Sequence, residues 1–385
     1  MNPLISFITP VYNNEKLILN TATSILSQTD DEIEYIIVDD GSTDNTPNVV
    51  DEIAKKDPRV KVIHQKNQWI YASLNNGIRE ATGEYIYIIN SDDVLRNGAY
   101  KKMKNIVNMF HPDIIWTKVL IHKCDKNQNI LQYDYLDWDS KVTSDEYFAS
   151  CAEVRKAWCY FNQSLLALNQ ANLYKRELML NHPFRNDVYG ADTLFNISIA
   201  RDVCSCYVMK DAVYDFFAYQ TERNTSIGKF YDYEHEMFND IFLEYEKLYK
   251  EFDIPKSQYE YIYTQRILQL THEIVMLKCK NCSLTIEEKI ERIFTHYVDD
   301  IVYSCAVKLS RVEELESRIL SGIRDLLKDD KLLNRENKMY FVYELLDGLL
   351  RYEKTAEDYE KIKAAINNPM NRFHIGKSFY EKLVH

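Results

Sequence analysis

One local pattern repeats over the first 95 residues and constrains the fold more than anything else in the chain. A short apolar run is followed by turn residues and then by a stretch with helical spacing. Leu4 to Thr9, Glu34 to Val38, Val60 to His64 and Tyr85 to Ile89 read as buried strands. Between them, Leu17 to Gln28, Thr46 to Lys55 and Leu74 to Thr82 read as helices. Pro47 sits in a first turn, where its missing N–H costs nothing, and Gly83 is placed as a C-cap. Strands alternating with helices predict an α/β fold with a mostly parallel sheet covered on both faces. Ligands of such sheets bind beyond the carboxyl ends of the strands.

Two acidic pairs fall at that edge. Asp39-Asp40 follows the second strand and Asp92-Asp93 follows the fourth. One such Asp is ordinarily a turn or cap residue. Two adjacent pairs hold like charges together, which is costly without a cation or dedicated donors. A divalent-cation or ligand site is therefore expected there. The chain shows no G-x-G-x-x-G opening its first helix and no G-x-x-x-x-G-K-S/T, so a glycine-rich phosphate cradle is not expected. Its formal net charge is −12, which argues against a nucleic-acid partner. A nucleotide diphosphate would then be held by a hard cation, Mn²⁺ or Mg²⁺, between carboxylates and phosphate oxygens. That chemistry serves nucleotidyl transfer, sugar transfer or phosphate hydrolysis alike.

Four segments, taken in order and spacing, narrow the choice. Ile5-Ser6-Phe7-Ile8-Thr9-Pro10-Val11-Tyr12-Asn13-Asn14 resembles the opening strand of family 2 glycosyltransferases. Ser24-Ile25-Leu26-Ser27-Gln28-Thr29 is similar to their first helix, and Ile36 to Asp44 to their second strand and acidic turn. Ala81-Thr82-Gly83-Glu84-Tyr85-Ile86, leading into Ser91-Asp92-Asp93, resembles their metal-binding segment. The resemblance covers roughly the first 225 residues. It implies a GT-A fold, Rossmann-like, and an inverting transfer from a nucleotide-diphosphate sugar, with UDP favoured over GDP or dTDP.

By that resemblance Thr9, Pro10 and Tyr12 line the nucleobase pocket. Asp40 accepts from the base, and Asp39 holds the turn or the nucleoside. Asp93 is the first metal ligand, and Asp92 binds the ribose or the metal. Asn67 opens a donor-binding stretch, and Arg223 would contact the diphosphate. Asp192, in Asp187-Val188-Tyr189-Gly190-Ala191-Asp192, matches the residue that serves inverting members as general base; its alternative is a helix N-cap. Lys175, Arg176 and His182 are weaker candidates near the acceptor. Four positions depart from the family's pattern: Asn90 for Asp, Trp69 for Gly, Leu74 for Arg and Ala191 for Glu. Trp69 would stack on a ligand or serve as a core or rim aromatic.

Beyond residue 255 one proline and three glycines remain, against six prolines and five glycines before residue 191. The chain is therefore divided into a GT-A domain, 1–228, and a helical domain, 229–385. In the latter, Ile267, Leu268, Leu270, Ile274 and Leu277 are assigned to one helical stripe, with Leu326, Leu327, Leu345, Leu346, Leu349 and Leu350 in later helices. No apolar run reaches the roughly 20 residues of a membrane span, and no signal peptide is read at the N-terminus. The eight cysteines do not form a scaffold pattern and are expected to be reduced thiols in a cytoplasmic protein, Cys204 and Cys206 within a core strand. The expected partners are a nucleotide-sugar donor and a glycan or lipid-linked glycan acceptor. Contact with the inner face of the membrane and a homo-oligomer through the helical region stay open. A nucleotidyltransferase and a non-catalytic nucleotide-sugar-binding module are the alternatives.

Overall fold

The computed structural model describes residues 3–125, 129–135, 142–161, 169–219 and 228–285, with separate positions between 288 and 326. The chain divides into two compact units. The first is Met1–Asn224 with Lys247–Ile254, and the second is Thr225–Glu246 with Pro255–His385.

The first unit is built on one sheet. Strands β1 (Ile5–Val11), β2 (Ile33–Asp39), β3 (Val60–His64) and β4 (Tyr85–Ile88) lie in the order β3-β2-β1-β4, all parallel. Helices α1 (Ile18–Leu26), α2 (Thr46–Lys56) and α3 (Ile70–Glu80) make the crossovers. The two-residue β5 (Val94–Leu95) and helix α4 (Ala99–Phe110) follow, then β6 (Ile114–Cys124), β7 (Ile130–Tyr135), which pairs with β6, and β8 (Glu146–Phe148), which pairs with a later strand. Past β4 the sheet continues through β9 (Leu173–Lys175), β6 and β10 (Cys206–Tyr219) to β5. Here the pairing is mixed: β9 runs antiparallel to β4 and β6, β10 runs parallel to β6, and β5 runs antiparallel to β10. The parallel expectation therefore holds for the first four strands and not for the whole sheet. Phe7, Tyr35, Tyr85, Tyr87, Ile115 and Tyr214 are among the buried residues that fill the core.

β1 passes through Pro10 instead of ending there. Residues of a strand bond alternately to its two sides. Ile8 O accepts from Ile89 on the β4 side, and Val11 O accepts from Asp40 on the β2 side. Pro10 thus faces the β4 side, where the ladder has already ended at Ile8–Ile88, and its missing N–H breaks no bond. Gly83 is not the cap of α3, since Ala81 takes that place. A β-carbon at Gly83 would lie 2.5 Å from Ser6 Oγ and 2.8 Å from the Ser6 amide, so close backbone approach demands the glycine.

Two other expectations are corrected. Cys151 and Cys204 form a disulfide, so the cysteines are not all thiols. Cys204 stands just before β10, while Cys206 opens that strand and is buried. In the second unit, α8 (Glu234–Glu251, its last turn counted with the first unit), α9 (Glu260–Met276) and α10 (Asp300–Lys308) are helical, numbering α5 (Cys151–Phe161), α6 (Arg176–Asn181) and α7 (Ala191–Ile199) before them. Ile267, Leu270, Ile274 and Leu277 are buried, but Leu268 is 41% exposed. It falls off the i, i+3, i+7 spacing of the other four. Leu326 is buried; Leu327, Leu345, Leu346, Leu349 and Leu350 lie outside the described residues.

Candidate active site

The four parallel strands end at one edge, and their loops are tied to one another there. Asn13, at φ +48°, turns the chain after β1. Its Oδ1 accepts from the Thr43 amide at 2.7 Å, and its own amide donates to Ser42 Oγ at 2.9 Å. Asn14 Nδ2 donates to the Ser91 carbonyl at 3.0 Å and to Ser91 Oγ at 2.9 Å. The loops after β1, β2 and β4 are thereby held in one register. Gly41, at φ +74°, belongs to the same junction, where a β-carbon would come within 2.8 Å of the Asn67 amide nitrogen.

The first acidic pair is buried and fully engaged with protein donors. Asp39 accepts from the Ser42 amide at 3.1 Å and meets His64 Nδ1 at 2.9 Å. That contact holds the His64 pKa above its usual value against the opposing effect of burial. Asp40 accepts from Gln65 Nε2 at 2.7 Å, the Gln68 amide at 2.8 Å and the Trp69 amide at 2.9 Å. Gln68 and Trp69 precede α3, so Asp40 caps that helix from a neighbouring strand, where helix-terminal N–H groups lack partners of their own. Trp69 itself is 48% exposed and is therefore not a core aromatic. Its φ of 73° and ψ of 165° lie in a region that is essentially glycine's, which costs a side-chain-bearing residue about 1–3 kcal/mol. The position has kept a glycine's backbone while carrying an indole. Leu74, in place of the arginine, is buried within α3.

The second acidic pair divides its labour. Asp93 is 1% exposed. Its Oδ2 accepts from Tyr214 Oη at 2.6 Å and Asn90 Nδ2 at 3.1 Å, and its Oδ1 accepts from the Phe217 amide at 2.9 Å. Burial, and next the charge of Asp92, push the Asp93 pKa up. Asp92 is only partly buried. Asn90 thus supplies a donor to Asp93, where an aspartate would have added a third negative charge. Asn90 and Asp92 offer the hard oxygen donors that Mg²⁺ and Mn²⁺ take, whereas both oxygens of Asp93, expected from the sequence as the first metal ligand, are engaged by protein donors.

Asp192 stands in the first turn of α7, and the N-cap of that helix is Gly190. Asp192 Oδ1 accepts from the Thr193 amide at 2.8 Å. Burial pushes its pKa up to about 6, with the Thr193 amide and the Tyr71 hydroxyl acting against the rise. Tyr71 comes from the first turn of α3. Its hydroxyl donates to the Tyr189 carbonyl at 2.6 Å, and its ring stacks on Phe184 at 5.7 Å. Asn75 grips the Phe184 backbone with bonds of 2.7 and 2.9 Å. One helix therefore carries the Asp40 contact at its start and holds the Asp192 segment along its side.

Tyr12, Asn67 and Asp92 keep surface at this edge, with Asp39, Asp40 and Asp93 behind it. Thr9 and Pro10 are buried, and Thr9 Oγ1 accepts from Tyr35 Oη at 3.1 Å. Lys175 pairs with Asp113 at 2.7 Å, Arg176 Nε donates to the Ala81 carbonyl at 2.6 Å, and His182 pairs with Asp202 at 2.7 Å. Arg223 lies outside the described residues. Sequence reading did not find Tyr71, Asn75 or Tyr214 as parts of the site. Tyr71 and Asn75 sit on a helical pattern with no chemical signature, and Tyr214 lies 121 residues from its partner Asp93.

Comparison with known proteins agrees with this geometry. Residues 6–175 match the model of Glycosyl transferase family 2. The glycosyltransferase EpsJ of Bacillus subtilis (strain 168) is 28% identical over 218 residues, 56% of this chain and 61% of that protein. The glycosyltransferase GlyG of Streptococcus pneumoniae serotype 4 is 40% identical over 116 residues, 30% of this chain and 38% of that protein. The chain thus spans less than two thirds of the length of these relatives. Residues 1–349 of S. aureus TarS share the fold at a TM-score of 0.52 and 17% identity, over 84% of this chain and 90% of that one. With its parallel β3-β2-β1-β4 edge, its acidic turns and the match over residues 6–175, the chain has the GT-A fold and is similar to glycosyl transferase family 2 across that segment.

Proposed function

We propose that the protein is an inverting glycosyltransferase that moves a sugar from a nucleotide-diphosphate donor, UDP-linked in the first instance, to an acceptor hydroxyl in cell-surface glycan or polysaccharide synthesis. The observation that carries this reading is Asp192, a partly buried carboxyl in the segment that Tyr71 and Asn75 of α3 hold through the Tyr189 and Phe184 backbone. A pKa raised to about 6 suits a group that must take a proton near neutral pH. In the transfer the acceptor oxygen forms a bond to the anomeric carbon and its proton passes to Asp192. The bond from that carbon to the diphosphate oxygen breaks, and the electron pair leaves with the diphosphate. One base suffices for this single displacement, whereas retention through a covalent intermediate would need a nucleophile as well.

Asp92 is proposed as the carboxylate that holds Mn²⁺ or Mg²⁺, with Asn90 Oδ1 as a neutral companion and Asp93 bracing the turn from inside. The cation would supply positive charge to the diphosphate. Tyr12, Asn67 and Trp69 supply exposed surface for the nucleotide and sugar, and the acceptor is taken to be a glycan or a lipid-linked glycan. Among the described residues no helix is long and apolar enough to cross a membrane.

The test is thermal stabilisation by UDP, GDP and dTDP, each with and without Mn²⁺ or Mg²⁺. A ligand at a hundred times its Kd adds about 2.7 kcal/mol of stability to the state that binds it. A metal-dependent shift with one diphosphate, lost in Asp92→Asn while the variant's own melting point is kept, is the expected result. No shift with any diphosphate would overturn the donor site.

A further inference from the structure

A second cluster of ligand-type side chains lies in the helical unit, in a region the transferase reading does not use. His235 stands in the first turn of α8, Glu273 near the end of α9, and His296 on a helical position beyond. Their side chains are 7%, 6% and 13% exposed. Glu273 Oε2 lies 2.9 Å from His235 Nδ1 and 2.8 Å from His296 Nδ1, and the two imidazoles stack with centroids 3.7 Å apart. Two ring nitrogens and one carboxylate oxygen therefore converge, all within 4.8 Å of one another.

The hydrogen bonds of this cluster do not close. His235 Nδ1 also lies 2.9 Å from Arg266 Nη2. A guanidinium can only donate and a carboxylate can only accept. If Nδ1 carries a proton it opposes Arg266, and if it does not its lone pair faces Glu273. One of the two contacts is repulsive in either tautomer, in an interior where an ill-matched polar contact is costly. A cation between Nδ1 and Oε2 takes both lone pairs. Arg266 would give up its Nη2 contact and keep two others, Nε to Asn239 Oδ1 at 2.9 Å and Nη1 to Glu273 Oε1 at 3.1 Å. The latter bond fixes the far oxygen of Glu273, as outer partners of a ligating carboxylate commonly do.

We infer that His235, Glu273 and His296 form a binding site for a zinc-class divalent cation that fastens three helical segments of the second unit. Two imidazoles and one carboxylate are the donor set of three-ligand zinc sites, which keep a fourth position open. A pocket lined by Phe230, Asp232, His235, Glu273, Arg292 and His296 adjoins the cluster. The nitrogen donors set this site apart from the all-oxygen turn at Asn90–Asp93.

The experiment uses the full chain without a polyhistidine tag. After loading with Zn²⁺ and dialysis in metal-free buffer, metal content and melting temperature are measured with and without EDTA, and Co²⁺ replaces Zn²⁺ for visible absorption. The expected result is one retained zinc per chain, a melting point lowered by EDTA, and a Co²⁺ spectrum without the thiolate charge-transfer band that Cys279 and Cys282 would give. His296→Gln and His235→Gln should each weaken Zn²⁺ at least about tenfold. Asp92→Asn should leave Zn²⁺ binding unchanged. If the wild-type chain retains no zinc and its melting point ignores both Zn²⁺ and EDTA, the cluster is a buried ion-pair network and the inference falls. Zinc retained undiminished in folded His235→Gln and His296→Gln, or a thiolate spectrum, would overturn it equally. Because the wild-type measurement decides first, a variant that fails to fold does not shield the claim.

Discussion

An exposed aspartate titrates near pH 3.9 and is a feeble proton acceptor at neutrality. Asp192 gains its basicity from position: burial lifts its pKa to about 6, and the Thr193 amide and Tyr71 hydroxyl keep it from rising further. The sign of the effect on activity follows. Transfer needs the carboxylate, so kcat/KM should be level above the raised pKa and fall about tenfold per pH unit below it, with its acidic limb at about pH 6. A limb near pH 4 would separate Asp192 from catalysis. The effect on stability has the opposite sense. Between the unfolded and folded pKa values the folded state binds the proton more tightly, so the ionised side chain weakens the fold increasingly as pH rises through that window. Asp192→Asn should therefore abolish transfer and yet melt higher at pH 8, by a margin on the order of 1–3 kcal/mol. The acidic residues were legible because their chemistry is written in residue type and they follow apolar runs. Tyr71 was not, because nothing in its neighbourhood of the sequence announces that its hydroxyl reaches residue 189.

At the scale of elements, helical and strand periods located the first four strands and three helices to within a few residues. The larger error is instructive. α3 begins at Ile70, four residues before the apolar spacing starts at Leu74, where the Asp40 carboxylate fixes the two amides just before its first turn. Periodicity reports which face is buried and is silent about a cap supplied from another strand. β10 was the least legible element. It lays Tyr214 and Phe217 across the Asn90–Asp93 turn, pairs with β5, and carries Asp215, which binds Arg96 at 2.7 Å and His122 at 2.8 Å. Its role is to hold a buried carboxylate in place beside a partly exposed one. Tyr214→Phe removes the shortest of Asp93's three donors while keeping the ring in the core. A loss of about 1–3 kcal/mol in denaturant unfolding is expected, together with weaker metal-dependent nucleotide binding. Unchanged stability would mean that Asp93 stays protonated and does not need the tyrosine.

At the scale of the whole molecule, composition indicated two regions, because turn-forming residues thin out after residue 255 and sheets need turns. Composition could not reveal the covalent link. Cys151 opens α5 and Cys204 precedes β10, and 53 residues separate them. Neither belongs to a C-x-x-C or to any spacing that marks a bridge, so only the fold brings them together. A bond across that separation stabilises mainly by restricting the unfolded chain, by about 4 kcal/mol on loop-closure entropy alone. Noncovalent packing also holds this unit together, with Trp116 and Trp158 edge to face at 5.1 Å. Reduction should therefore lower the melting temperature without unfolding the chain at ambient temperature. Intact mass of the denatured protein, alkylated with and without prior reduction, checks the bond itself: reduction should expose two further thiols. Cys151→Ser should then melt at the temperature of the reduced wild type and no longer respond to reductant. No gain in alkylation on reduction would mean that the pairing geometry is present but the bond is not, and the stability of this unit would rest on its noncovalent packing.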